Sequence, residues 1–312
     1  MLTGVSVASI VIGGVLLLIG GGIGYYGYGK FRVARAIEST PTTPAAEIDS
    51  AGRIEIEGTV VADESMPSPI GQDEDTVLSA WKVEEWDENR NSSDGWRERG
   101  CGITAKPFIV EDDSGHVVVD PQRDVVGEYE LHYGDGGGGH ASSAVNLGFD
   151  GLNVGLGRFF PMAANGITVD GAVTEFEEFG VAYTDTVTES TPDHIEDFVV
   201  QQPNLRPQFD QSVGVDMGNR DGDRRYYEGT IQDGDSVYIL GDVRPTTEGG
   251  TVTGPSDGVI QPPEDAGLFV VSTLSESELF RRTRWQKLAL GVGAIVGLFG
   301  LGAVLSGVAG LF

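Results

Sequence analysis

The chain begins and ends on uncharged apolar runs, and between them the pattern changes to short alternating segments. From Leu2 to Gly29 no residue is charged, and Val5–Ile23 is almost wholly Val, Ile, Leu, Ala and Gly. At about 1.5 Å per residue such a run crosses about 30 Å of hydrocarbon, so residues 1–30 predict a first transmembrane helix. The start lacks a basic side chain, and Tyr25, Tyr26 and Tyr28 form an interfacial belt. The pattern therefore reads as an anchor and not as a cleaved signal. Leu288–Phe312 repeats the device. Residues 275–312 predict an amphipathic helix, opened by a Ser275–Glu278 capping box, that runs into a second transmembrane helix.

Basic side chains collect beside both runs: Lys30, Arg32 and Arg35 after the first, then Arg281, Arg282, Arg284 and Lys287 before the second, with Trp285 at the boundary. The outer ends carry none, which places the intervening loop in the cytoplasm of a multi-pass protein of the cell membrane. Gly20 and Gly24, then Ala289, Gly293 and Gly297, repeat small residues every fourth position. Such rows predict close packing of the two helices on each other.

Residues 31–52 are rich in Pro, Thr and Ala without an apolar period and read as a linker. Strand patterns follow across 53–274. Arg53–Val61 alternates apolar and polar positions. Val77–Glu85 and Trp96–Cys101 flank a polar tip, and Pro107–Asp120 reads strand, Asp-Ser-Gly turn, strand. Ser236–Val243 and Gly267–Thr273 are further strands, and Gly134–Ser143 lies in a Gly-rich insertion of about 134–172. A short helix is expected over Pro192–Gln202, with Thr191 as its N-cap. The two halves, EGTVVADE…PFIVEDDSG and LGDVRPTT…LFVVSTLSE, echo each other. The expected fold is a membrane-anchored, mainly β domain, read as duplicated OB-like barrel halves, with two transmembrane helices.

Composition narrows the function. The 312 residues hold 48 acidic against 20 basic side chains, a net charge of −28, with four Lys and sixteen Arg. Such a field repels phosphates and excludes nucleic acid as a partner, while the balance is that of a salt-adapted acidic surface. One cysteine among the 312 residues leaves no intrachain disulfide, and no cofactor is expected.

Motif matches fail on their context, so no catalytic or metal site is expected. Gly22-x-Gly24-x-x-Gly27 lies inside the first apolar run, and Gly254-x-Ser256-x-Gly258 lies in a loop with no histidine after it. Asn219-x-Asp221-Gly222-x₅-Glu228 aligns with a calcium loop, but Met217 stands at its first ligand position. Glu111-Asp112-Asp113 reads as a solvated turn. Cys101 has only His116 near it in sequence, and Trp81, Trp86 and Trp96 suit either a peptide-binding groove or a core.

Ile56-Glu57-Gly58-Thr59-Val60, Pro107-Phe108 ahead of the Asp-Gly hairpin, and Gly234-Asp235 leading into Val237–Gly241 are joined by Leu268-Phe269 with Ser272. With a basic helix carrying Trp285 into the second run, these resemble the GIDE-type family, described by a "beside a membrane" domain. The resemblance implies relatives of membrane-anchored mitochondrial RING E3 ubiquitin ligases. A RING holds two zinc ions, each on four Cys or His ligands. This chain offers five such residues in all, Cys101, His116, His132, His140 and His194, with no Cys-x-x-Cys pair. The expected function is thus a two-span protein presenting a GIDE-like domain for partner binding or scaffolding, not catalytic by itself. The alternative is a component of an E3 ubiquitin or ubiquitin-like transferase system whose RING another chain supplies.

Overall fold

The computed structural model describes residues 2–87, 95–121, 129–132, 146–149, 152–155, 166–169, 172–187, 190–202, 205, 222–264 and 267–309. Side chains of 2–7, 24–34, 129–132, 146–149, 152–155, 168–169, 280 and 282–290 lie outside the described set. The helices among them are α1 (Leu2–Ser39), α2 (Asp193–Gln201) and α3 (Glu276–Ala309). The strands are β1 (Gly52–Val61), β2 (Thr76–Asp87), β3 (Gly95–Ala105), β4 (Phe108–Glu111), β5 (His116–Val119), β6 (Tyr129–His132), β7 (Asn146–Phe149) and β8 (Leu152–Gly155). They continue with β9 (Thr168–Val169), β10 (Ala172–Glu175), β11 (Gly180–Asp185), β12 (Arg224–Gln232), β13 (Ser236–Pro245), β14 (Gly258–Gln261) and β15 (Phe269–Ser272). The chain divides into two compact units, Met1–Ser39 with Glu276–Phe312, and Thr40–Ser275.

In the first unit α1 and α3 pack antiparallel along a glycine seam. A Cβ added to Gly20 would stand 2.5 Å from the Gly297 nitrogen and 2.8 Å from the Gly293 carbonyl. One added to Gly13 would stand 2.6 Å from the Gly300 carbonyl. The helices approach this closely because neither backbone carries a side chain there. Gly20, Gly293 and Gly297 thus share the face that their spacing predicts, and Gly13 and Gly300 extend it. Gly24 and Ala289 lie outside the described side chains. Among the described residues, Gly291–Ala309 is the one stretch long and apolar enough to cross a membrane, and Ala8–Ile23 in α1 is a shorter apolar stretch.

The second unit is mainly β and is built on a closed five-stranded barrel. β1 pairs with β4, β4 with β5, β5 with β14, β14 with β13, and β13 returns to β1. All of these pairs are antiparallel except β5–β14. The barrel takes three strands from the first half of the chain and two from the second. The two similar halves therefore do not fold as separate barrels: each lacks the partners needed to close a ring. β13 serves two neighbours along one edge, β15 over Tyr238–Leu240 and β14 over Asp242–Pro245. Gly241 sits between them, where a Cβ would be 2.6 Å from Ile260 Cγ2 and 3.1 Å from the Phe269 ring. Gly58 allows β1 to cross β4, since a Cβ there would be 2.5 Å from the Glu111 carbonyl oxygen.

A second sheet has the order β11-β12-β2-β3-β6. Residues directly opposite in the registers share a face. Leu78, Ala80, Ile103 and Ile231 lie on one face and join Ile56, Phe108, Val110, Ile239 and Phe269 in the main core. Trp81, Val83 and Tyr226 lie on the other, under Ile195, Phe198 and Val199 of α2. β2 and β3 form the expected hairpin, and β4–β5 form the expected Asp-turn hairpin, whose Asp112 carboxylate accepts the Ser114 and Gly115 amides at 2.7 and 2.9 Å.

Three local expectations change. α1 runs to Ser39, beyond the expected boundary at residue 30, and the rest of the stretch read as a linker folds back on the barrel. Two isolated apolar residues suffice: Ala45 and Ile48 are buried, and Asp112 and the Ser114 hydroxyl accept the Ala45 and Ala46 amides at 2.8 and 3.0 Å. α2 begins one residue later than expected, after Pro192, because the Thr191 hydroxyl donates to Asp185 at 2.9 Å and does not cap the helix. Most of the Gly-rich insertion lies outside the described residues, apart from short segments that include the β7–β8 pair.

The crossing at Gly58 generates a stability prediction. Gly58→Val is expected to lower the unfolding free energy by about 1–3 kcal/mol, and with it the urea midpoint. Gly254→Ala, where nothing lies within 4 Å of the new carbon, leaves it unchanged; tryptophan fluorescence during urea unfolding reads both.

Candidate functional site

The three tryptophans do not form one groove. Trp81 is 3% exposed and meets Phe198 edge-on, with centroids 5.0 Å apart, so it is part of the core under α2. Trp86 and Trp96 stand opposite each other in the β2–β3 ladder, 5.4 Å apart, on the other face of the sheet. A register shift between Val83 and Glu84 accommodates the hairpin without moving Trp86 to the Trp81 face. The Arg225 guanidinium covers the Trp96 ring at 3.9 Å, and Lys82 covers Tyr227 at 4.2 Å. That end of the sheet is a half-buried shelf of cations on aromatic rings, each contact stabilising by about 0.5–2 kcal/mol.

The candidate site is a cleft of about 630 Å³ on the Thr40–Ser275 unit. Its walls come from the segment 176–182, the β12 residues Glu228–Thr230, the turn at Asp235-Ser236, Thr273, and Gly71 with Asp73. Carboxylates dominate its polar side chains, and none of the lining residues is basic. Phe176 packs against Gly229, where a Cβ would be 2.7 Å from the ring.

Glu228 organises one wall. β12 carries it to the face shared with Trp81, and its carboxylate accepts the Ser79 hydroxyl at 2.6 Å, the Gly71 amide at 2.6 Å, the Ser68 hydroxyl at 3.1 Å and the Ile70 amide at 3.4 Å. These donors tie the 66–76 loop to the sheet. The loop is closed further by paired Met66–Thr76 backbone bonds and by left-handed backbone at Gln72 (φ 61°) and Asp75 (φ 63°). Burial pushes the Glu228 carboxyl above its ordinary range, and the donors oppose that shift without cancelling it. With four donors on two oxygens, Glu228 is a latch for the loop. The sequence aligned this glutamate with the last ligand of a calcium loop, and nothing local marked Ser68, Gly71 and Ser79 as its partners. The one sequence sign of burial is its place inside the β-forming run Tyr226–Ile231.

The other candidates are scattered. Asp223 is buried and accepts the Val187 amide at 3.1 Å, while Met217, Asn219 and Asp221 of the same alignment lie outside the described residues. Asp112 is held below its usual range: burial works against ionisation, but bonds from Ser114, Ala45 and Gly115 prevail. Ser256 lies in a 3₁₀ turn between β13 and β14, and Gly22, Gly24 and Gly27 lie within α1. Among the described residues, no three His, Cys, Asp or Glu gather as a metal site would require. Cys101 and His116 lie on different sheets. Burial, reinforced by Glu98 and opposed by Lys82, pushes the Cys101 thiol up to about 12. Of the membrane-flanking residues, Arg35 and Arg281 are exposed. Lys30, Arg32, Arg282, Arg284, Trp285 and Lys287 have side chains outside the described set.

Two measurements test these assignments. Because the folded carboxyl of Glu228 titrates above its unfolded value, its contribution to stability is complete below the unfolded value and declines as pH rises through the folded one. Glu228→Gln is expected to abolish that part of the pH dependence of the melting temperature. It is also expected to speed amide exchange at Gly71, whose N–H loses a charged acceptor. For Cys101, maleimide labelling at pH 8 is expected to be at least about a hundredfold slower in the folded protein than in urea, since thiolate and access are both withheld.

No protein-family model, no curated protein and no solved structure matches this chain.

Proposed function

We propose that the chain is a two-span membrane protein that holds a mainly β, partner-binding or scaffolding domain at the cytoplasmic face. The observation that carries the reading is the glycine-seamed helix pair. Its outward side chains are exposed and apolar: Phe299 is 71% exposed, Leu298 68% and Val11 59%. Such a surface is costly in water and matched by lipid tails, while close glycine packing holds helices together where no hydrophobic force can. Antiparallel pairing also brings the two basic flanks, 30–35 and 281–287, to one end of the pair. That supports orientation by the positive-inside rule.

The barrel supports the scaffold part of the reading. Its ring order, in which the first strand is flanked by the second and fourth and the third pairs parallel with the fifth, supports an OB-type barrel, a fold used mainly for binding. With a net charge of −28 the ligand is not a nucleic acid. The resemblance to the GIDE-type family supports the same placement beside a membrane. It implies a partner from a ubiquitin-type system, with any RING on another chain.

Membrane fractionation and site-directed labelling test this. The protein is expected to stay in the membrane pellet after alkaline carbonate; its release overturns the anchoring. Cys101 is too buried to report topology, so Asp113→Cys, on the exposed β4–β5 turn, is made in a Cys101→Ala background. An impermeant maleimide is expected to label it only after permeabilisation. Labelling in intact cells puts the domain outside.

A further inference from the structure

The strand β12 outruns its neighbour. β11 pairs with it from Asp185↔Arg224 to Gly180↔Glu228 and stops, while β12 continues through Gly229, Thr230 and Ile231 with β2 on its other side. The Gln232 amide is taken by the Asp235 carboxylate at 2.8 Å, which ends the open stretch. Among the described residues, no strand pairs with Gly229–Ile231 on the β11 side. The cleft lies there, with Gly180–Ala182 at one end and the Asp235-Ser236 turn at the other.

The occupant's chemistry follows from the walls. Backbone at a sheet edge asks for extended backbone. Asp73 and Glu178 are exposed beside the slot, Glu177 adjoins them, and no lining residue is basic. Anionic ligands are repelled by these groups and by the net charge of −28. A second copy of the chain would bring its own carboxylates against them, so self-pairing is disfavoured by the same charges. The bulge between Val181 and Tyr183 also spoils β11 as a template for open-ended strand addition, which confines pairing to the slot.

We propose that this slot binds an extended cationic segment of a partner protein, which adds main-chain hydrogen bonds to β12 at Gly229 and Thr230 and sets Lys or Arg side chains against Asp73, Glu177 and Glu178. The assignment rests on reading the Thr40–Ser275 unit as a binding domain. It does not rest on the membrane anchoring, so fractionation and peptide binding fail separately.

The probe is a fluorescein-labelled hexapeptide of alternating Arg and Val, titrated by anisotropy against the full chain in detergent micelles. Saturable binding is expected, weakening as salt is raised. An alternating Glu and Val peptide is expected not to bind. N-methylation of alternate amides in the Arg peptide is expected to cost at least about tenfold, because it removes the backbone donors. Asp73→Asn with Glu178→Gln is expected to weaken binding by about threefold or more, and Glu248→Gln, which is not among the slot residues, leaves it unchanged. Circular dichroism and the melting curve verify that each variant is folded. Three results overturn the proposal: no saturable binding to the folded wild-type chain, equal binding of the N-methylated peptide, or equal losses in the slot and control variants. The last of these means adsorption to the acidic surface in general.

Discussion

The β1–β13 ladder is the constraint on which the second unit depends. Eight residue pairs, from Gly52↔Val243 to Thr59↔Ser236, join segments that the intervening chain separates widely. Closing a loop of that length costs configurational entropy that grows slowly with length, and the ladder offsets it with backbone bonds and with the buried Ile56–Ile239 pair. Once made, it closes the barrel and leaves the ring without an exposed edge. It also fixes the β12–β13 turn: the Gly234 amide donates to the Val60 carbonyl at 2.9 Å, and Asp233 accepts the Ala62 amide at 2.8 Å. β12 is thereby placed, and with it the second sheet and the cleft beside it.

Two buried carboxylates show how an acidic chain uses charge inside. Glu55 is fully buried on β1, accepting the Tyr238 hydroxyl at 2.7 Å and the Thr42 hydroxyl at 2.9 Å, which ties the 40–48 segment to the barrel wall. Glu228 ties the 66–76 loop to the second sheet in the same manner. Both fasten irregular chain to a strand with bonds that an apolar residue cannot make. Burying the carboxylate carries a cost, which the donors on both oxygens offset only in part at Glu228. Among the described residues most other carboxylates stay on the surface, where water and salt moderate their repulsion.

The helix pair follows different physics. Its inner face is rich in glycine and its exposed outer face is aliphatic and aromatic, the reverse of a pair on the surface of a water-soluble core. Backbone contact at Gly13–Gly300 and Gly20–Gly297 sets the helix spacing, and the Val304 side chain fills the space over Gly13.

Much of the organisation was legible in the chain itself. Charge-free runs marked the apolar stretches of α1 and α3, four-residue spacing of small residues marked their seam, period-two alternation marked β1, and a polar tip and an Asp-Ser-Gly turn marked the β2–β3 and β4–β5 hairpins. These signals are local, since period, spacing and turn chemistry act within a few residues. What tertiary structure alone decided is non-local. The echo between the halves did not disclose that they build one barrel, because ring closure depends on pairings such as Thr59↔Ser236 across most of the domain. Trp81 and Trp86 were separated to opposite faces by the pleat of β2. Glu228 became a latch because folding brought Ser68, Gly71 and Ser79 to it. The slot beside β12 lies where pairing with β11 stops at Gly180↔Glu228 while β12 continues against β2, a register that only the fold shows.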